Sequence, residues 1–335
     1  MKRKVCEEGS VKIVSFDGGG YLGLASACFV EEIERYFKKT FHANFDLFCG
    51  TSTGAIIALG LASGMSGSEV RRLYEDLGPR IFWNKPAFMR HLRFVRGLLV
   101  SRYDDRPLRA ALDKAFGQTR VGDIKRKGKF VLITAFSVSS GKPRIFKTDH
   151  APELNRDDGY LVRDVALASS AAPTFLPLVK LKSPTSSVEE RYCDGGVFAN
   201  HPALLGYAEA RFHLKVSAKD IQVLSVSTPR ADLAERASTR NALQQFLLNR
   251  GVLLWGGRLF NIFVDATSDI SHETLRRIAA CDIGPATLYE RLEVQRPHGI
   301  DIDVTTKKAT ETLCQIGSEL AVDGGVRKRL EPFFN

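Results

Sequence analysis

Three short stretches of this 335-residue chain carry the residue types that acyl transfer needs. The first is Gly50-Thr51-Ser52-Thr53-Gly54, a G-x-S-x-G pentapeptide between a strand-like run and an apolar helical one. A serine on such a strand-to-helix turn stands clear of its neighbours, and small flanking residues let the chain turn and a substrate approach. The helix that follows aims its positive end at the turn, where anionic charge develops. The second stretch, Asp17-Gly18-Gly19-Gly20, closes a strand-like run with consecutive glycine amides that can hold an oxyanion. The third is Asp194-Gly195-Gly196. A serine hydroxyl needs a base at neutral pH, and a carboxylate beside two glycines can come close enough to serve if its surroundings tune it. The reading is Ser52 as nucleophile, Asp194 as base, and Gly18, Gly19 and Gly20 as the oxyanion hole. Gly50 and Gly54 shape the nucleophile turn; Gly195 and Gly196 shape the base loop.

Rival readings attach to the same residues. Gly18, Gly20 and Gly23 also satisfy G-x-G-x-x-G, and Asp46 lies at about the distance expected of the acidic residue in a nicotinamide-binding fold. His201, His213, His272 and His298 all follow Asp194, so a Ser-Asp-His triad is formally open. A regulatory, nucleotide-binding module on an inactive hydrolase fold is the non-enzymatic alternative; intact serine, aspartate and glycine pieces count against it.

The elements around these motifs alternate. Val11 to Phe16 reads as a buried strand, Leu24 to Phe37 as a helix, and Phe45 to Gly50 as a second strand feeding the apolar helix that starts near Ala55. Phe130 to Phe136 and Ile221 to Ser227 are further central strands, and Pro143 to Lys147 is a possible partner strand. Ser68 to Leu77, Arg106 to Phe116 and Val162 to Ala171 have helical patterns. From Thr239 onward helical patterns dominate. This predicts an α/β fold with a central, mostly parallel sheet. The division expected is a catalytic α/β domain over 1–230 and a helical C-terminal portion over 231–335, packed on the same domain.

Lys and Arg exceed Asp and Glu by 48 to 38, a net charge of +10. Such a surface attracts anions: lipid headgroups, nucleotides or nucleic acid. No motif calls for nucleic acid. The six cysteines show no metal-type spacing, and a charged N-terminus without a secretory pattern fits reduced thiols in a cytoplasm. No apolar run reaches the ~18 residues of a membrane span. A lipid substrate must then be met at the bilayer surface. Residues 80–102, with Phe82, Trp83, Phe88 and Phe94 among five arginines and a lysine, suit a lid or membrane-contact element. Phe246 to Phe263 is a second such candidate.

In order, DGGG (Asp17 to Gly20), GTSTG (Gly50 to Gly54), ASSAAPTFLP (Ala168 to Pro177) and DGGVFANHP (Asp194 to Pro202) resemble the patatin-like phospholipase family over roughly the first 230 residues. That resemblance implies a three-layer α/β/α fold, a Ser52–Asp194 dyad, an oxyanion hole from Gly18 to Gly20, and release of fatty acid from glycerolipids without a metal or other cofactor. Two positions depart. Leu22 stands where the family often has Arg or Lys, and His201 where many members carry Asn. Compact members with a basic surface and a short helical extension resemble bacterial antiphage effectors switched on by cyclic di- or trinucleotides. That likeness implies a cyclic nucleotide activator and is compatible with a homo-oligomer.

Overall fold

The computed structural model describes residues 10–82, 100–232, 252–281 and 288–335, the side chains of 252–260 and 281 excepted. Among them eight strands form one sheet. In chain order these are β1 (Val11–Phe16), β2 (Leu47–Thr51), β3 (Phe130–Ser137), β4 (Lys142–Lys147), β5 (Val179–Lys182), β6 (Glu189–Asp194), β7 (Ile221–Val226) and β8 (Leu288–Leu292). The centre is parallel: β1 lies between β2 and β7, β3 follows β2, and β8 follows β7. These central strands are rich in β-branched and aromatic residues because both faces of the sheet are covered. Alternation along β1 sends Val14 and Phe16 into one core and Val11 and Ile13 into the other.

The first core is closed by α1 (Gly23–Phe37), α2 (Thr53–Ala62), α3 (Gly67–Ile81), α4 (Arg106–Phe116) and α5 (Val162–Ser169). The second is closed by α6 (Ala203–Phe212) and α7 (Val252–Cys281). A late helix, α8 (Lys307–Val322), returns to pack along α1. The expected three layers are therefore present. α2 is buried along its whole length, which explains its unbroken apolar sequence.

One strand arranges the site. β4 runs antiparallel to β3 along one edge. The other edge pairs with β2 over Phe130–Thr134, then with antiparallel β6 over Ala135–Ser137. Thr51, the last residue of β2, stands opposite Thr134; Asp194, the last of β6, stands opposite Ala135. Adjacent residues of β3 thus bring the ends of two distant strands together, one carrying the serine turn and the other the aspartate loop. β8 adds a strand within the C-terminal portion, where the sequence pattern suggested helices. Its charged Glu290 and Arg291 mask the alternation of a buried strand.

Candidate active site

Ser52 sits between β2 and α2 with φ 56° and ψ −123°. A non-glycine residue there stores strain on the order of 1–3 kcal/mol, and its surroundings must hold it. Gly54 makes the turn possible, since a Cβ on it would lie 2.1 Å from the Phe16 carbonyl oxygen. The Ser52 amide donates to Ser169 Oγ at 2.9 Å, at the end of α5. The Thr51 hydroxyl donates to the Ala199 carbonyl at 2.6 Å, so Thr134 Oγ1, 2.7 Å away, donates to Thr51. The nucleophile turn is clamped from β3, α5 and the base loop at once.

Asp194 is 3% exposed. Its carboxylate faces the same pocket as Ser52, whose hydroxyl is near enough to lower its pKa, and it accepts the Gly196 amide at 2.7 Å. Its own amide donates to the Ala171 carbonyl at 2.9 Å. Burial pushes its pKa up to about 6, while the Ser52 hydroxyl and the Gly196 amide pull the other way. Asp194 is therefore a stronger base than an exposed aspartate, yet mostly ionised at neutral pH. Ser169 and Ala171 both belong to the Ala168–Pro177 stretch, which ties the nucleophile turn to the base loop.

The glycine turn completes the ring. Gly18 is pressed between the base loop and the serine turn: a Cβ there would lie 2.3 Å from Asn200 Oδ1 and 3.2 Å from Ser52 Cβ. Its amide is already donated to the Asn200 carbonyl at 3.2 Å. The amides of Gly19 and Gly20 donate to no backbone carbonyl among the described residues, so of the three expected oxyanion donors these two are available. Thr228 Oγ1 donates to the Gly18 carbonyl at 2.7 Å and holds the loop from outside. Ser52, Asp194 and all three glycines line one pocket whose walls are otherwise mostly apolar, with Ile56, Leu77, Ile81 and Phe175 prominent. That lining suits a fatty acyl chain with its ester at the polar end.

Behind the loop lies a buried polar network. The carboxylate of Asp17 pairs with Arg291 of β8 at 2.8 Å, the two side chains being 2% and 3% exposed. Burial pushes the Asp17 carboxyl up, and the Arg291 guanidinium pulls it back. Arg291 also donates to Ser225 Oγ at 2.9 Å. Ser225 Oγ is 3.0 Å from His201 Nε2, and His201 Nδ1 is 3.1 Å from Ser271 Oγ on α7. The Ser271 hydroxyl donates to the His201 carbonyl at 3.0 Å, so it accepts from Nδ1, which carries the imidazole proton, and Nε2 accepts from Ser225. Desolvation and the nearby Arg291 hold His201 well below the usual histidine range, so it is neutral.

The description of patatin-like phospholipases matches residues 14–207. A Pseudomonas aeruginosa protein named cGAMP-activated phospholipase is 33% identical over 79% of this chain and 74% of its own length. One of the same name from Vibrio cholerae is 32% identical over 97% of this chain and 94% of its own. An Escherichia coli protein named cUMP-AMP-activated phospholipase is 30% identical over 64% of this chain and 63% of its own. The chain belongs to the patatin-like phospholipase family. Its chemistry is accordingly that of a lipid ester hydrolase.

Within that family setting, the other readings can be placed residue by residue. Asp46 Oδ2 accepts the Lys12 amide at 2.9 Å, at the start of β1. The glycine turn follows the far end of that strand, so Asp46 cannot reach a ribose bound there; the nicotinamide reading is overturned. None of His201, His213, His272 or His298 is bonded to Ser52 or Asp194 among the described residues: His201 serves the network above, His213 meets Glu153, and His272 meets Tyr289. Leu22 is buried beside a small polar pocket that Arg230 and Arg296 line. Both arginines are engaged, Arg230 with Asp265, Asp269 and Glu293 and Arg296 with Asp301, so neither simply replaces the family's cation. Of the lid candidate over 80–102, residues 83–99 lie outside the described residues; Phe82, near its start, lines the Ser52 pocket of this phospholipase. Most of the second such candidate, 246–260, lies outside the described side chains as well.

Sequence reasoning missed Arg291 and Ser169. No local motif marks Arg291. Ser169 lies within the Ala168–Pro177 match, and that match was the available signal.

Proposed function

We propose that this enzyme releases fatty acid from membrane glycerolipids through an acyl-Ser52 intermediate, with Asp194 as the single base, and that a cyclic dinucleotide switches it on. The observation that carries the chemistry is that Ser52, a buried Asp194 and the glycine turn converge on the polar end of one apolar pocket. As Ser52 Oγ attacks the ester carbonyl, its proton passes to Asp194. The oxyanion meets the amides of Gly19 and Gly20 and the positive end of α2. The C–O bond to the alcohol breaks, and Asp194 returns the proton to the departing lyso-lipid. Water then gives its proton to Asp194 and attacks the acyl carbonyl. Fatty acid leaves as Ser52 is regenerated.

The relatives' names support the activator, and the excess of basic residues suits both an anionic nucleotide and an anionic bilayer. No described helix is long and apolar enough to cross a membrane. The reading is a cytoplasmic protein that docks peripherally when active. The test is fluorophosphonate labelling of Ser52, together with fatty-acid release from phosphatidylglycerol-containing vesicles with and without cGAMP or cUMP-AMP. Ser52→Ala is expected to lose both labelling and release. A histidine substitution that abolishes release while Asp194→Asn retains it overturns the single-base mechanism.

A further inference from the structure

A second cavity, of about 580 Å³, opens at the sheet edge near β4, the outer half of β6 and the turn around 183–188. Its size falls within the roughly 300–1,000 Å³ typical of small-molecule sites. Four cations line it, Lys142, Arg144, Lys147 and Arg156, against one carboxylate, Glu190. Two of the cations are fixed. Arg144 is ion-paired with the buried Asp157 and stacks over Phe146 with its guanidinium carbon 4.7 Å from the ring centroid. Lys147 Nζ reaches both oxygens of Glu209 at 2.8 and 3.0 Å. The other two, Lys142 and Arg156, are exposed and make no ion pair among the described residues. Hydroxyls of Ser137, Ser140, Ser183 and Thr185 stand around them. Pro143 and Val188, the latter 54% exposed, add apolar surface at the opening.

We propose that this cavity is where a cyclic dinucleotide binds. The inference rests on the activation reading above and gives it a place on this chain. Fixed cations on the wall and exposed cations at the rim suit two phosphodiester charges carried on one ring. The hydroxyls offer partners to base edges and sugars, and the apolar rim offers a surface to a base. The cavity is also wired to the base. Glu190, Tyr192 and Asp194 alternate along β6 and share a face. The Tyr192 hydroxyl donates to Glu190 at 2.8 Å, and Ser137 Oγ donates to the same oxygen at 3.0 Å. Ser137 stands opposite Tyr192, and Ala135 opposite Asp194. An occupant that rearranges the Ser137–Glu190–Tyr192 cluster shifts the strand that ends in Asp194.

The test compares the full chain with Lys142→Glu/Arg156→Glu and with Lys307→Glu/Lys308→Glu, which changes the net charge equally at a distance. Calorimetry with cGAMP and cUMP-AMP gives affinity, vesicle hydrolysis gives activation, and thermal melting checks folding. The expected result is at least about tenfold weaker binding, loss of nucleotide-dependent hydrolysis in the first variant, and neither effect in the second. Binding as tight as wild type in the first variant, or equal weakening in both, overturns the site and leaves activation standing. If wild type binds neither nucleotide, site and activation fall together. Loss confined to vesicle binding, with nucleotide affinity intact, assigns the cavity to lipid headgroups and also overturns the proposal.

Discussion

The loops that meet at Ser52 and the strand that braces them from the C-terminal portion are built on different principles. Around Ser52 each part is a short contiguous motif: a serine between glycines, an aspartate before two glycines, three glycines after a strand. The brace is one residue, Arg291, whose partner Asp17 lies 274 positions away. The chemistry is local in sequence because turn geometry demands particular residues at fixed offsets. The support is non-local because a buried charge needs only an opposite charge, from wherever the fold delivers one. The two regions should therefore fail differently when they are broken.

The largest effect belongs to the loops. Asp194→Asn keeps the shape and the Gly196 bond but cannot take a proton. Hydrolysis is expected to fall by at least about 10²–10⁴-fold, as for loss of a general base. The melting temperature should not fall, since removing a buried charge carries no desolvation penalty. Steady-state rates on vesicles and a thermal melt together check this. A large drop in melting temperature would reveal a structural role in place of a catalytic one.

This contrast also marks what could be read from the sequence. Val11–Phe16 and Arg106–Phe116 were legible to the residue because the first is one continuous β-branched and apolar run and the second one uninterrupted helical pattern. The turns that bring Ser52, Asp194 and the glycines to one pocket were legible because glycine clusters mark turns. β8 was not, since Leu288–Leu292 carries Glu290 and Arg291 in so short a run. Nor was the engagement of the Gly18 amide by Asn200, which depends on a contact between loops that no local pattern encodes.

The brace is expected to fail in stability first. Arg291→Met leaves Asp17 buried without its partner and should cost about 3–5 kcal/mol in chemical denaturation. Ser225 loses a donor at the same time, while His201 keeps the tautomer that Ser271 sets. The double variant Asp17→Asn/Arg291→Met removes the stranded charge and should recover part of that loss. If the double variant is as unstable as the sum of the singles, the pair is not coupled and the brace is misassigned. A smaller effect is expected for Ser169→Ala, which leaves the Ser52 amide without its acceptor. Its cost should be about 1–3 kcal/mol. Fluorophosphonate labelling should slow as the turn loosens, and unchanged labelling and stability would remove Ser169 from the clamp.

The smallest expected effect needs no substitution and separates the two regions by pH. As the proposed base, Asp194 acts only when ionised, and burial raises its pKa to about 6. Below that value the competent fraction falls about tenfold per pH unit; above it the rate is flat. The sign is that of a base: kcat/KM for a soluble ester rises with pH through about 6 and does not decline toward neutrality. An imidazole base would give a similar midpoint, so the midpoint alone does not discriminate. Temperature does, because carboxylate ionisation absorbs little heat and imidazolium ionisation absorbs much more. A midpoint that stays nearly fixed between cold and warm assays belongs to Asp194. One that moves steadily down on warming belongs to a histidine, and the single-carboxylate mechanism would then be wrong.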